Sequence, residues 1–211
     1  MIAIDGPAGA GKSTVAQGVA KALGFTYLDS GAMYRCVALA ALDRGIDLGD
    51  GERLGEMAWE LVIGFDRDSI LLDGEPVGGR IRSPDVTAAA SRVSIHPQVR
   101  QAMVKRQREL IATGGYVAEG RDIGTVVSPD SPLKVFLTAS EEERAKRRAG
   151  ETGEPVPAVR QALEERDQRD RGREHGALRA ADDSVTVDTT DLSPDQVVER
   201  IVELARDRGI A

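Results

Sequence analysis

The chain has 211 residues, enough for one domain or for one core domain carrying an insertion. Its formal net charge of −7 excludes nucleic-acid binding through bulk charge, and a 41% hydrophobic share with 3% aromatics points to an aliphatic, alanine-rich core. The single cysteine, Cys36, excludes an internal disulfide and a cysteine-based zinc site, and no apolar run is long enough to span a bilayer. With no signal peptide visible, a soluble cytoplasmic protein without membrane or nucleic-acid partners is expected.

In chain order, "MIAID" reads as a buried strand, followed by "GPAGAGKST" and by a helix, "VAQGVAKALG", that closes on Gly24. "FTYLD" is a second strand and "SGAMYRCVALAALDRG" a helix ending at Gly45. This alternation predicts a parallel sheet covered by helices. The rhythm breaks at "LVIGFDRDSILLDGEPVGG", where short β-rich runs joined by "DRD" and "DG" predict a small antiparallel hairpin or three-stranded insert over about 62–80.

Ser83 and Pro84 then open a helix as N-cap and N1, and "HPQVRQAMVKRQRELIATGG" is a stronger one, with Val99, Met103 and Leu110 on its apolar face. "YVAEG" and "LKVFLTAS" return to the buried-strand pattern. "SEEERAKRRAG" is a helix with an acidic first turn, expected to end before Gly150. "ETGEPVP" reads as a flexible joint before "AVRQALEERDQRDRGR", a helix that becomes wholly charged. "SVTVDTT" is a last strand, and Ser193 and Pro194 start a closing amphipathic helix.

Residues 6–13, "GPAGAGKS", fit G-x-x-x-x-G-K-[ST] between an apolar strand and an amphipathic helix, the context that confirms a phosphate loop. Gly6, Gly9 and Gly11 let the backbone aim N–H groups at phosphate oxygens, with Pro7, Ala8 and Ala10 completing the cradle. Lys12 can reach the β- and γ-phosphates, the Ser13 hydroxyl can bind Mg²⁺, and Thr14 lies within reach of the α-phosphate. A purine nucleoside triphosphate with Mg²⁺ is the expected ligand.

A phosphate loop alone does not separate kinases from switch GTPases or motor ATPases. No N-K-x-D element is present, and arginines sit at strand ends and helix faces outside the loop, which favours a kinase of small anionic acceptors. Arg35 follows the second strand in "LDSGAMYR", and Arg121 and Asp122 follow another core strand in "EGRDIG"; strand C-terminal ends line the ligand crevice of a parallel sheet. Taken alone, Arg35 also suits a solvated helix face, and Arg121–Asp122 a loop salt bridge. In "ERDQRDRGRE", Arg166, Asp170 and Arg173 are spaced i, i+4, i+7 and should share one helix face. That face could be a surface ladder, or a flap closing over a transferring phosphoryl group. Neither His96 nor His175 has an obvious Ser or carboxylate partner, and an acceptor that is already a phosphate needs no base.

These blocks, with "IRSPDVTAAASRVS" and "VAEGRDIGTVVSP" the most distinctive, resemble the bacterial cytidylate (CMP) kinases over nearly the whole chain. One departure is Ala177, where that family usually has proline before leucine. The resemblance implies an α/β P-loop kinase: a five-stranded parallel sheet flanked by helices, a small antiparallel β insert in the NMP-binding region and a short helical lid. Within one domain, 1–211, the core would cover about 1–61, 81–148 and 180–211, the insert about 62–80 and the lid about 149–175. The implied reaction is γ-phosphoryl transfer from ATP to CMP or dCMP. Carried over by motif, Arg35, Arg121 and Arg173 would hold the acceptor phosphate, and Ser91, Arg100 and Asp122 would read cytosine. Asp170 would meet the ribose hydroxyls, Ser30 and Tyr34 would support the pocket, and Lys12, Arg166 and Arg173 would be catalytic. A monomer is implied. A kinase for another monophosphate such as UMP, or a non-enzymatic regulatory nucleotide-binding module, are the alternatives.

Overall fold

The structure is a computed structural model, described here for residues 1–66 and 69–210, with Asp66 in its backbone alone. Arg67 and Asp68 of the expected "DRD" turn, and Ala211, lie outside the described residues. The chain forms two compact units, Met1–Asp29 with Leu110–Ala211, and Ser30–Glu109.

The first unit is built on five parallel strands: β1 (Ile2–Asp5), β2 (Thr26–Asp29), β6 (Tyr116–Gly120), β7 (Leu133–Thr138) and β8 (Val185–Asp188). Their order is β2-β6-β1-β7-β8, so β1 is central and every pairing is parallel. β1 is buried along its whole length, as expected of a strand covered on both faces. The helices α1 (Lys12–Leu23) and α8 (Pro194–Asp207) pack together, and Val15, Val19, Val197 and Ile201 join Ile2, Ile4, Val135 and Leu137 in one core. Ser193 and Gln196 form a reciprocal capping box at the start of α8. The helices α6 (Glu141–Thr152) and α7 (Val156–Arg171) pack as a hairpin.

The second unit holds α2 (Ser30–Asp43), α3 (Gly51–Glu60), α4 (Pro84–Val93) and α5 (Pro97–Ile111) up to Glu109, with the small sheet β3 (Ile63–Asp66), β4 (Ser69–Leu72) and β5 (Glu75–Pro76). That sheet is antiparallel in the order β3-β4-β5, the three-stranded form of the expected insert. Its "DG" turn is two residues long, and both Asp73 (φ 51°) and Gly74 (φ 87°) are left-handed. Ser83 caps α4 by accepting a hydrogen bond from the Val86 N–H at 3.4 Å.

Three features differ from the sequence expectations. α3 has no counterpart among them: Gly51 and Gly55 mask an apolar stripe of Leu54, Met57 and Ala58. Gly55 is there for packing, since a Cβ on it would lie 2.3 Å from Gln98 Cβ of α5. α6 runs through Gly150 to Thr152 and stops at Gly153 (φ 74°), which leaves only three residues for the joint. And α7 ends at Arg171, with Gly172 as its C-cap, so Arg173 is not on the helix.

Candidate active site

In the first unit, β1 delivers the phosphate loop from the middle of the sheet. Gly9 (φ 76°) and Gly11 (φ 83°) adopt the left-handed turns that a nested row of N–H groups requires. Lys12 is buried and donates from Nζ to the Pro7 carbonyl at 2.7 Å. Burial, with help from the Arg121 and Arg166 charges, lowers its ammonium to about 7; Glu119 and Asp5 work against that shift. A lysine so strained electrostatically gains from an arriving polyanion.

Arg121 and Asp122 follow β6 directly, and the backbone then makes one turn of π-helix, Ile123–Val127. Asp5, the last residue of β1, fixes that turn: Oδ1 accepts from the Ile123 N–H at 2.8 Å and Oδ2 from the Gly124 N–H at 2.7 Å. Burial raises the Asp5 carboxyl to about 6, in spite of these two donors.

From α7, Asp170 bridges two arginines. Its Oδ2 accepts from Arg121 Nε at 2.8 Å, and its Oδ1 pairs with Arg173. Burial tends to raise Asp170, but the guanidinium groups of Arg121, Arg173 and Arg166 outweigh it and hold the carboxyl below its ordinary range. Arg121 is raised in turn, since Asp170 overcomes its own burial cost. The structure therefore brings together Lys12, Arg121, Arg166, Asp170 and Arg173. Arg173 does so from the turn beyond Gly172 and not by helical spacing, so the expected three-residue helix face reduces to Arg166 and Asp170. Arg171 and Glu174 are exposed.

Asp5 and three further residues of this unit, Glu119, Asp167 and Arg144, have no role in the sequence reading. Glu119 is buried at the end of β6 and accepts from the Tyr27 hydroxyl at 2.6 Å. Burial first, then the Asp29 charge, raise its carboxyl, while Lys12, Ser13 and Tyr27 lower it. Asp167 on α7 and Arg144 on α6 form a buried ion pair at 2.5 Å. An acid closing a buried strand, as in "YVAEG" and "IAID", was the available signal for Glu119 and Asp5, because a buried carboxylate is expensive unless used. For Asp167 the signal was the apolar stripe of α7, which it shares with Asp170. Val159 and Leu163, continued by four and then three residues, land on Asp167 and Asp170, and all four are buried.

In the second unit, Ser30 begins α2 and is buried, while Tyr34 and Arg35 lie in its first turns, half-buried. Arg100 on α5 is 4% exposed, and its guanidinium carbon lies 5.9 Å from the centre of the Tyr34 ring. Ser91 on α4 is 4% exposed, and its hydroxyl has no hydrogen-bond partner among the described residues. A buried hydroxyl without a partner is costly and marks a place where a ligand would complete the bonding. His96 is structural: its Nε2 lies 2.8 Å from the Leu48 carbonyl.

The donor set at Ser13 fits a hard divalent cation. Ser13 stands near the buried carboxylate of Glu119 and lowers it, with Asp29 close enough to act on the same group. Among the described residues there is no cluster of three or more His, Cys, Asp or Glu that could hold a metal ion.

A central strand leading into a glycine cradle, with buried lysine and arginines gathered at the same strand ends, defines a P-loop phosphotransferase. Solved structures agree at the level of the fold. A gluconokinase from Sinorhizobium meliloti 1021 is similar over 99% of this chain and 93% of its own, at a TM-score of 0.51 and 19% identity. A sugar kinase from Janibacter sp. HTCC2649 is similar over 100% and 96%, at a TM-score of 0.52 and 16% identity. Sequence relatives are much nearer. The chain is 48% identical to a cytidylate kinase of Caldanaerobacter subterraneus subsp. tengcongensis over 210 residues, covering 97% of this chain and 94% of the relative. It is 46% identical to one of Streptomyces griseus, covering 100% and 94%. The profile of the cytidylate kinase family matches residues 2–207, and the chain belongs to that family.

Proposed function

We propose that the protein transfers the γ-phosphoryl group of ATP to CMP or dCMP, giving ADP and CDP or dCDP. The observation that carries this reading is the full-length family match, joined to a complete phosphate loop with Lys12 buried beneath it. An acceptor-phosphate oxygen of CMP attacks the γ-phosphorus in line, and the bond to the β,γ-bridging oxygen breaks, leaving ADP. No base is required, because the attacking oxygen already carries negative charge. The protein's work is to position the two nucleotides and to neutralise charge.

Lys12, Arg166 and Arg173 take the charge of the transferring group. The loop residues Gly6 to Thr14 hold ATP. Arg35, Arg121 and Arg173 hold the CMP phosphate. Ser91, Arg100 and Asp122 read cytosine, whose amino donor, ring nitrogen and carbonyl match a hydroxyl, a guanidinium and a carboxylate. Asp170 accepts from the ribose hydroxyls, and Ser30 and Tyr34 line the pocket. Ser13 would hold Mg²⁺, which when bound shields the phosphate charges. We take the enzyme to act as a cytoplasmic monomer, the expectation that the family resemblance carries.

A coupled assay with ATP, Mg²⁺ and each of CMP, dCMP, UMP and AMP tests the proposal. The cytidylates are expected to turn over fastest. UMP or AMP ahead of both overturns it in favour of another monophosphate, and ATP binding without turnover points to a regulatory module.

A further inference from the structure

We propose that Asp167, together with Arg144, is a positioning residue for phosphoryl transfer: the pair registers the charged end of α7 on the phosphate loop and so fixes Arg166 opposite Lys12. The inference rests on the kinase reading above and adds to it a role for two residues to which that reading gives none.

The geometry is specific. Asp167 Oδ1 accepts from the Ala8 N–H at 3.2 Å, and one guanidinium nitrogen of Arg144 donates both to the Ala8 carbonyl at 3.0 Å and to Asp167 Oδ2 at 2.5 Å. Both main-chain groups of one phosphate-loop residue are thus taken by a single buried ion pair, with Asp167 1% and Arg144 5% exposed. The Ala8 methyl completes the contact by packing with Ala145, Val159 and Leu163 of the α6–α7 hairpin. At the next loop residue, a Cβ on Gly9 would lie 3.0 Å from both Arg144 Cβ and the Arg144 carbonyl, so helix and loop already touch.

Stability is a poor reason for such a pair, since a buried ion pair contributes little beyond what apolar residues of the same size would. Direction is the better reason. The Ala8 N–H and C=O are both satisfied at one register of α7 only, and a helix shifted by a turn, about 5.4 Å, would strand them. The residues on either side are those that meet the phosphate chemistry. Arg166 immediately precedes Asp167, and its charge is felt by Lys12. One turn on, Asp170 holds Arg121. Asp167 is the fixed point between them.

The test compares Asp167→Asn, which keeps an acceptor for Ala8 but drops the charge, with Asp167→Glu, which keeps the charge and lengthens the arm. Each is made in the wild-type chain and in an Arg166→Ala chain, and kcat, the KM for CMP and the melting temperature are measured. Asp167→Asn is expected to lower kcat about tenfold, keep the CMP KM within about twofold, and cost under about twofold in the Arg166→Ala background. Asp167→Glu is expected to lower kcat in the same non-additive way. An equal factor in both backgrounds, an unchanged kcat beside a lower melting temperature, or a raised CMP KM at constant kcat would each overturn the proposal. If Asp167→Asn does not fold, Asp167→Glu decides by the same comparison. A wild-type chain that does not turn over CMP at all refutes the kinase reading itself, and that assay comes first.

Discussion

Lys12 sits where burial and two neighbouring guanidinium groups strip its charge, and that gives the residue a measurable signature. In the free protein its ammonium is lowered to about 7, whereas phosphates beside it favour the charged form. ATP binding at pH 8 should therefore take up close to one proton, and at pH 6 none through this group. Calorimetry at pH 8 in buffers of different ionisation enthalpy reads the uptake directly, and a buffer-independent heat would refute it. Lys12→Ala should abolish the uptake and lower kcat by about 10²- to 10³-fold with the fold intact by circular dichroism. In the other unit, Arg100→Met should raise the CMP KM by roughly 10- to 100-fold, the worth of a charge-assisted hydrogen bond, with little change in the ATP KM. An unchanged CMP KM counts against a cytosine-reading role for Arg100.

Among the elements, the loop between β1 and α1 was the most legible, because its glycines answer to a backbone requirement that sequence states openly. Gly6 shows how tight that requirement is. A Cβ there would lie 2.2 Å from the Leu137 carbonyl oxygen of β7, an atom that cannot move without displacing the strand. Gly6→Ala should cost about 3 kcal/mol or more and lower the melting temperature by roughly 10 °C, which thermal denaturation would read. The strand–helix alternation was equally legible, since buried parallel strands read as short apolar runs. α3 was not, because its two glycines look like turn residues until Gln98, more than forty positions away in sequence, explains one of them. The end of α7 was half legible. Uniform charge hid which carboxylates turn inward, and only the buried helix face separates Asp167 and Asp170 from their exposed neighbours Gln168 and Arg169. Arg144 gave no warning at all, being one of several arginines on a strongly charged helix.

For the whole molecule, Asp5 makes stability depend on pH in a direction opposite to that of most carboxylates. Its carboxyl is raised to about 6, so the folded state holds a proton that the unfolded chain has lost. The resulting stabilisation is present below about pH 4 and is lost as pH rises through about 6, by up to roughly 3 kcal/mol for a shift of this size. Asp5→Asn should remove that slope, so that urea titrations at pH 4.5 and 7 separate the wild type and the variant. An identical pH dependence would refute the assignment. The strand that ends in Asp5 has one more consequence, for synthesis. β1 is the first strand of the chain and lies in the centre of the sheet, yet neither neighbour, β6 or β7, begins before Tyr116. At a ribosome elongating by about 5–20 residues per second, an apolar strand would wait some seconds without a partner. Such long-range parallel pairing is slow and exposed to aggregation. A nascent chain stalled ahead of β6 should therefore be bound by chaperones and cut readily by protease, and one stalled well beyond β7 should be protected.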